Sequence, residues 1–177
     1  MAKAPRKMLG AAEDPHILAL MRQIETQSKE TLASWCINYA EAVLLPIYEG
    51  RCPGDTRPRH ALTAARDWLA GKVKLPYVKN IILKEAHAAA REREDDQAAQ
   101  AAARAIGQAA SSIHSATHAL GIAFYGAAAI AYHRLGTGAS PEAYAAIAQE
   151  QGEELLASLM AVSVENEPHP VKVNWYC

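Results

Sequence analysis

Apolar positions recur at three- and four-residue intervals over most of this chain, the period of helices that bury one face. The first such run is Ile17, Leu20, Met21 and Ile24. It follows Asp14-Pro15, where Asp can cap and Pro suits a first turn. Ser28 either begins a second helix or interrupts a longer one. From Leu32 the pattern is dense: Trp35, Cys36, Tyr39, Ala40, Val43, Leu44 and Ile47 fall on one broad face. Gly50 and Cys52-Pro53-Gly54 stop that helix. Asp55 or Thr56 can cap the next, Pro58 fits its first turn and Gly71 ends it, with Ala61, Leu62, Ala65, Trp68 and Leu69 as the buried face. Leu75-Pro76 opens a further helix through Ile81, Ile82 and Ala86 to the charged run at 91–96, a solvated helix end and turn.

From Asp96 to Gly136 the chain is alanine-rich and free of proline, so it reads as helix almost throughout. Unbroken, it would reach ~60 Å at ~1.5 Å per residue, too long for a compact domain of this size. A kink or break is therefore expected between Gly107 and Ser112. Ser140-Pro141-Glu142 starts a last helix ending near Val162, and Pro168 and Pro170 bar helix beyond it. These elements predict an all-α fold: a single-domain helical bundle of five to seven helices around a long alanine-rich central helix. Residues 1–12 read as a flexible tail, 13–165 as the bundle and 166–177 as an extended tail. Trp35, Trp68 and Tyr125 are the expected aromatic anchors, with both tryptophans in the core shared with 97–135.

Polar residues on the buried faces change the picture. At 100° per residue, Gly107, Ser111, His114, His118, Gly121 and Tyr125 form one narrow stripe on the central helix. Buried polar groups left unpaired cost about 1–3 kcal/mol each, so the stripe needs partners. An i, i+4 histidine pair is a good metal geometry. No third ligand lies nearby in sequence, and only the fold could bring Glu41, Asp55 or His87 to it; we expect no metal. Asp55, Arg57, Arg59 and Arg66 surround a helix start. They either cradle a phosphate or carboxylate or pair internally with Asp55 and Glu41, and internal pairing is favoured because buried charge is normally paired. Ser111, Ser112 and Ser115 sit beside the histidines on one helix, which does not build a nucleophilic triad. With no phosphate loop, nucleophile elbow or paired-cysteine motif either, the chain reads as no enzyme, with no cofactor.

Net charge is −1, so no global field favours nucleic acid. The halves differ: residues 1–79 hold twelve Lys/Arg and eight Asp/Glu, while residues 80–177 hold six and eleven. That asymmetry fits either internal complementarity or a charged face for a partner. Cys36, Cys52 and Cys177 match no zinc spacing and read as reduced thiols. The amino terminus has no apolar core of signal-peptide length, and no window reaches the ~18 uncharged apolar residues of a membrane span, residues 119–133 coming closest. A cytoplasmic protein is expected.

The run Asp55-x-Arg57-Pro58-Arg59-x-Ala61-Leu62-x-x-Ala65-Arg66-x-Trp68-x-x-Gly71 and the later Gly107-x-x-x-Ser111-x-x-His114-x-x-x-His118-Ala119-Leu120-Gly121-x-x-x-Tyr125 carry a resemblance. With Trp35, Cys36 and Glu41, they resemble the immunity protein five-like family of bacterial polymorphic toxin systems, over roughly Leu32 to Ala131. The resemblance implies a small helical protein that binds and neutralises a cognate toxin. Two alternatives stand beside it: a binder of a small anion or metal through a His/Arg pocket, and a helical module that homodimerises through its alanine-rich face. In all three, Glu41, Asp55, Arg57, Arg59, Arg66, Ser111, His114, His118 and Tyr125 form the binding site or polar network. We expect one of the arginines to reach the histidine stripe, with Asp55 or Glu41 nearby.

Overall fold

The computed structural model describes residues 5–175; Cys177 and the thiol expectation attached to it lie outside the described residues. Helix α1 is Pro15–Ile24. Helix α2 (Lys29–Tyr39) passes through a π-helical turn (Ala40–Leu44) into α3 (Leu45–Arg51). Helix α4 is Arg57–Leu69, and α5 (Leu75–Ile81) passes through a second π turn (Ile82–Ala86) into α6 (His87–Arg91). Helices α7 (Gln97–Ser111), α8 (His118–Leu135) and α9 (Pro141–Val162) complete the chain. Counted through the π turns, these are seven helical rods, and no strand occurs among the described residues. The all-α bundle is as the periodicity predicts.

The helix starts follow local chemistry. Ser28, Asp96 and Ser140 each accept the backbone N–H three residues on, at 3.2, 3.0 and 3.2 Å. At α4 it is the Asp55 carboxylate, not Thr56, that takes the first helical N–H, from Arg57 at 3.2 Å. Pro46 does not end its helix. Its missing N–H removes a rung of the ladder just after the π turn, and the rod continues to Arg51.

Helix α7 is the centre. Its alanines at 98, 99, 101, 102, 103, 105, 109 and 110 are all buried, with Ile106. Side chains this small let the α2/α3, α4 and α5/α6 rods and α8 all close on one helix. The expected break in the central helix falls at 112–117, beginning at the last residue of the expected Gly107–Ser112 window. Two hydroxyls turn back on the last turn of α7: Ser111 Oγ donates to the Gly107 carbonyl at 2.8 Å and Ser112 Oγ to that of Ala109 at 2.6 Å. The halves span ~23 and ~27 Å at ~1.5 Å per residue, which fits the domain. They fold against each other as a hairpin, and α9 packs outside it on α8 and α1.

Trp35 is in the core, with its indole N–H bonded to Ser158 Oγ at 2.8 Å. Trp68 is half-buried and packs at the core's edge. At the amino end Leu9 is buried, its N–H bonds to the Phe124 carbonyl, and the Tyr132 hydroxyl donates to the Arg6 carbonyl at 2.6 Å. At the carboxyl end the chain wraps the α1–α2 turn. The buried Gln27 amide pairs with the backbone of Val164 at 2.8 and 3.1 Å, and the Glu167 carboxylate takes the Ser28 N–H at 2.6 Å.

Candidate functional site

The predicted polar residues separate into three groups. Asp55 is the hub of the first. Its carboxylate receives the Tyr48 hydroxyl at 2.7 Å and both Nε and Nη2 of Arg57, at 2.9 and 2.8 Å. Arg57 also holds Glu92 at 3.0 and 2.7 Å, and Arg93 stands 3.6 Å from Asp55. The bonded Arg57 guanidinium holds the Asp55 carboxyl well below the usual range, against a smaller opposing effect of burial. Beside it the Nε–H of Arg51 is shared between both carboxylate oxygens of Asp96, the cap of α7, at 2.8 and 2.7 Å. These pairs tie the end of α3, the start of α4, the end of α6 and the start of α7 together. Glu92, Arg93 and Asp96 all come from the 91–96 run that the sequence marks only as a solvated turn. Arginines and carboxylates dense in one short run were the available sign.

The second group is the outer edge of α4. Arg59 forks onto Glu49 at 2.7 Å twice, and Arg66 bonds Glu41 at 2.6 Å and Asn38 at 3.0 Å. Both arginines are exposed. His60 Nδ1 lies 2.7 Å from Glu85 on the second π turn.

The third group is the histidine cluster at the α7–α8 turn. The rings of His114 and His118 meet edge-to-face with centroids 5.0 Å apart. His118 Nδ1 bonds Gln108 Oε1 at 2.8 Å. The His87 ring abuts Gly107, where a Cβ would come within 2.7 Å of its Cε1, and Gln108 sits on Gly121 at 2.5 Å by the same measure. Those two glycines are therefore space for a ring and an amide. His114 Nδ1 is buried without a hydrogen-bond partner. Burial pushes all three imidazoles below their ordinary value. His118 adds to this at His114 and, after Arg91, at His87; Lys79 and Lys29 add to it at His114 and Arg104 at His87. Every charge acting on His87 and His114 here is positive. Tyr125 is half-buried farther along α8.

The structure does not bring the arginines to the histidines. Each of Arg57, Arg59 and Arg66 takes a nearby carboxylate, so the joint Arg–His network expected from sequence does not form. Ser111 needs no partner on another helix, because its own carbonyl ladder accepts its proton. No group of three or more His, Cys, Asp or Glu is arranged to hold a metal among the described residues. Burial pushes the Cys36 thiol up to about 12, which leaves it protonated and inert. What the cluster can do is remain neutral near pH 7 and gain protons as pH falls.

One surface that the chemistry-bearing residues did not point to is the outward side of α9. Glu142, Ala145, Ala146, Gln149, Glu150, Glu153, Glu154, Ala157, Met160 and Ala161 form a continuous exposed stripe. The 22 residues of α9 hold four Glu and no Lys or Arg. The stripe ends in Met160, Val162 and Val164, exposed by 59, 48 and 49 %. Val162 also borders a groove of about 330 Å³ with Trp35 and Asn38 of α2 in its wall. No helix among the described residues is long and apolar enough to cross a membrane.

A family model described as "Imm-5 like putative immunity protein" matches residues 22–158. No curated protein and no solved structure matches the chain. The matched span runs from the end of α1 through most of α9 and contains all three polar groups.

Proposed function

Since the chain belongs to the Imm-5 like immunity protein family, we propose that it works by binding, without catalysis, and neutralises a cognate bacterial toxin. The polar groups support binding over chemistry. The arginines are spent on carboxylates, the serines beside the histidines donate to backbone, and the buried thiol is held protonated.

The observation that carries the reading is the outward stripe of α9. A solvent-facing helix ordinarily mixes both signs of charge along its surface. Its own charged residues are all carboxylates, of which Glu150 pairs with Arg134 of α8 at 2.8 Å, set among alanines that allow close approach, and it finishes on exposed Met and Val. Apolar anchors beside charge of one sign suit a protein partner of opposite charge, with the charges speeding encounter and the anchors supplying affinity. The partner proposed is a toxin domain with a basic surface.

The test pairs this chain with toxin domains of bacterial polymorphic systems that carry a basic surface. Co-expression is expected to restore growth of cells making the toxin, and the purified pair to bind. Reversal of Glu150, Glu153 and Glu154 to Lys is expected to weaken binding at least a hundredfold and abolish protection. A wild type that neither binds nor protects overturns the function. Protection retained in the triple variant places the contact elsewhere.

A further inference from the structure

A cleft of about 640 Å³ lies between the amino-terminal segment, the start of α1 and the α8–α9 connection. That is the size of a small-molecule site. The cleft shares Ala145, Gln149 and Glu153 with the α9 stripe, and the rest of its lining has no part in the toxin-binding reading. Leu9, Ala145, Ala148 and the rings of Tyr132 and Tyr144 make its apolar walls. The two rings meet edge-to-face with centroids 5.4 Å apart.

Their hydroxyls are already committed. Tyr132 donates to the Arg6 carbonyl. Tyr144 donates to the Gly136 carbonyl at 2.8 Å and accepts the Ala139 N–H at 3.1 Å. The tyrosines therefore present ring surface to the cleft, and aromatic faces are electronegative. The charged side chains in the wall are Arg6, Asp14 and Glu153, with His16 beside them. One oxygen of Asp14 accepts the Ala11 N–H at 2.8 Å, and one oxygen of Glu153 accepts the Gln149 amide at 2.9 Å. Neither carboxylate has an ion-pair partner among the described residues. Negative charge and ring faces thus outweigh the one guanidinium.

We propose that this cleft binds a small amphipathic cation, with an aliphatic or aromatic body against Tyr132 and Tyr144 and an amine toward Asp14 and Glu153. The carboxylates and ring faces select positive charge, and the alanine and leucine walls take the apolar body. Ala145, Gln149 and Glu153 belong both to the cleft wall and to the α9 stripe, so an occupant covers one edge of that face.

Three probes on one skeleton test it: 4-phenylbutylamine, 4-phenyl-1-butanol and 4-phenylbutyrate, titrated into the full chain at pH 7 by calorimetry and amide NMR. The amine is expected to bind once per chain, at least fivefold tighter than the alcohol, with the carboxylate weakest. The shifted amides should be those of Leu9, Tyr132 and Ala148. Glu153→Gln, at an exposed position, should bring amine and alcohol within twofold. Ala145→Trp, also exposed, should fill the cleft and remove binding while thermal melts confirm the fold. Equal affinity for all three probes, shifts remote from the cleft, or undiminished binding by a folded Ala145→Trp chain would each overturn the proposal. Should Ala145→Trp fail to fold, the wild-type shifts and the Glu153→Gln result decide.

Discussion

Arg57 and Arg59 are two positions apart and do different things. Arg57 is 30 % exposed and grips an Asp55 side chain that is only 12 % exposed; Arg59 is 56 % exposed and grips Glu49 at the surface. Removing Arg57 strips a mostly buried carboxylate of its main partner, though Tyr48 and Arg93 remain nearby. Arg57→Ala is expected to cost about 1.5–3 kcal/mol in urea denaturation, the scale of hydrogen bonds to a charged group. Arg59→Ala should leave the midpoint nearly unchanged, since water and salt screen its pair. Equal losses for the two would show that exposure does not separate them. The sequence marked both arginines as paired, and both are. It named Asp55 and Glu41 as the carboxylates, which Arg57 and Arg66 do take, but not Glu92 and Glu49, which arrive from other rods. Trp35 and Trp68 differ likewise: one is enclosed and the other lies at the edge, a distinction that helical spacing does not draw.

At the scale of elements, the α7–α8 hairpin carries a pH dependence. His87, His114 and His118 all have folded-state pKa values pushed down by burial, so the native protein binds fewer of their protons than the unfolded chain. Stability from these sites is complete above the unfolded value, ~6.5, and is lost as pH falls from there through the lower folded values. The urea midpoint should therefore fall between pH 7.5 and 5.5, above the range where Asp55 titrates. A His114→Asn/His118→Asn chain should lose less over the same interval. A wild-type midpoint that is flat, or rises toward pH 5.5, contradicts the assignment. The hairpin itself was half legible. Length demanded a break, and alanine content demanded close packing. The turn's position rests on Ser111 and Ser112 folding their hydroxyls back, a local competition that propensity does not rank. The stripe was real as a set of neighbours, yet its partners were Gln108 and His87 where arginines were expected.

For the whole molecule, the terminal segments matter as much as the rods. Glu167 caps Ser28, Gln27 pairs with Val164, and the Val171 N–H reaches the Gln27 carbonyl at 2.9 Å. Together they fasten the carboxyl end across the α1–α2 turn. Glu167→Ala should release that clasp: hydrogen exchange at Val164 and Val171 should quicken at least tenfold while α7 amides keep their protection. Unchanged exchange at those two positions would mean the clasp does not depend on the carboxylate. Sequence by itself determined the helical segments, the Ser140 cap, the central place of the alanine-rich stretch and the family, because these follow from periodicity, local hydrogen bonding or motif spacing within one segment; the Asp14 side chain, expected to cap α1, makes no cap bond and takes the Ala11 N–H. Only the tertiary structure decided that Glu92 and Glu49 join Asp55 and Glu41 as arginine partners, what lies over Gly107 and Gly121, where the cleft opens and that α9 turns its four carboxylates outward. Those are relations between segments far apart in the chain, and they are set by how rods of particular width and length close on one another.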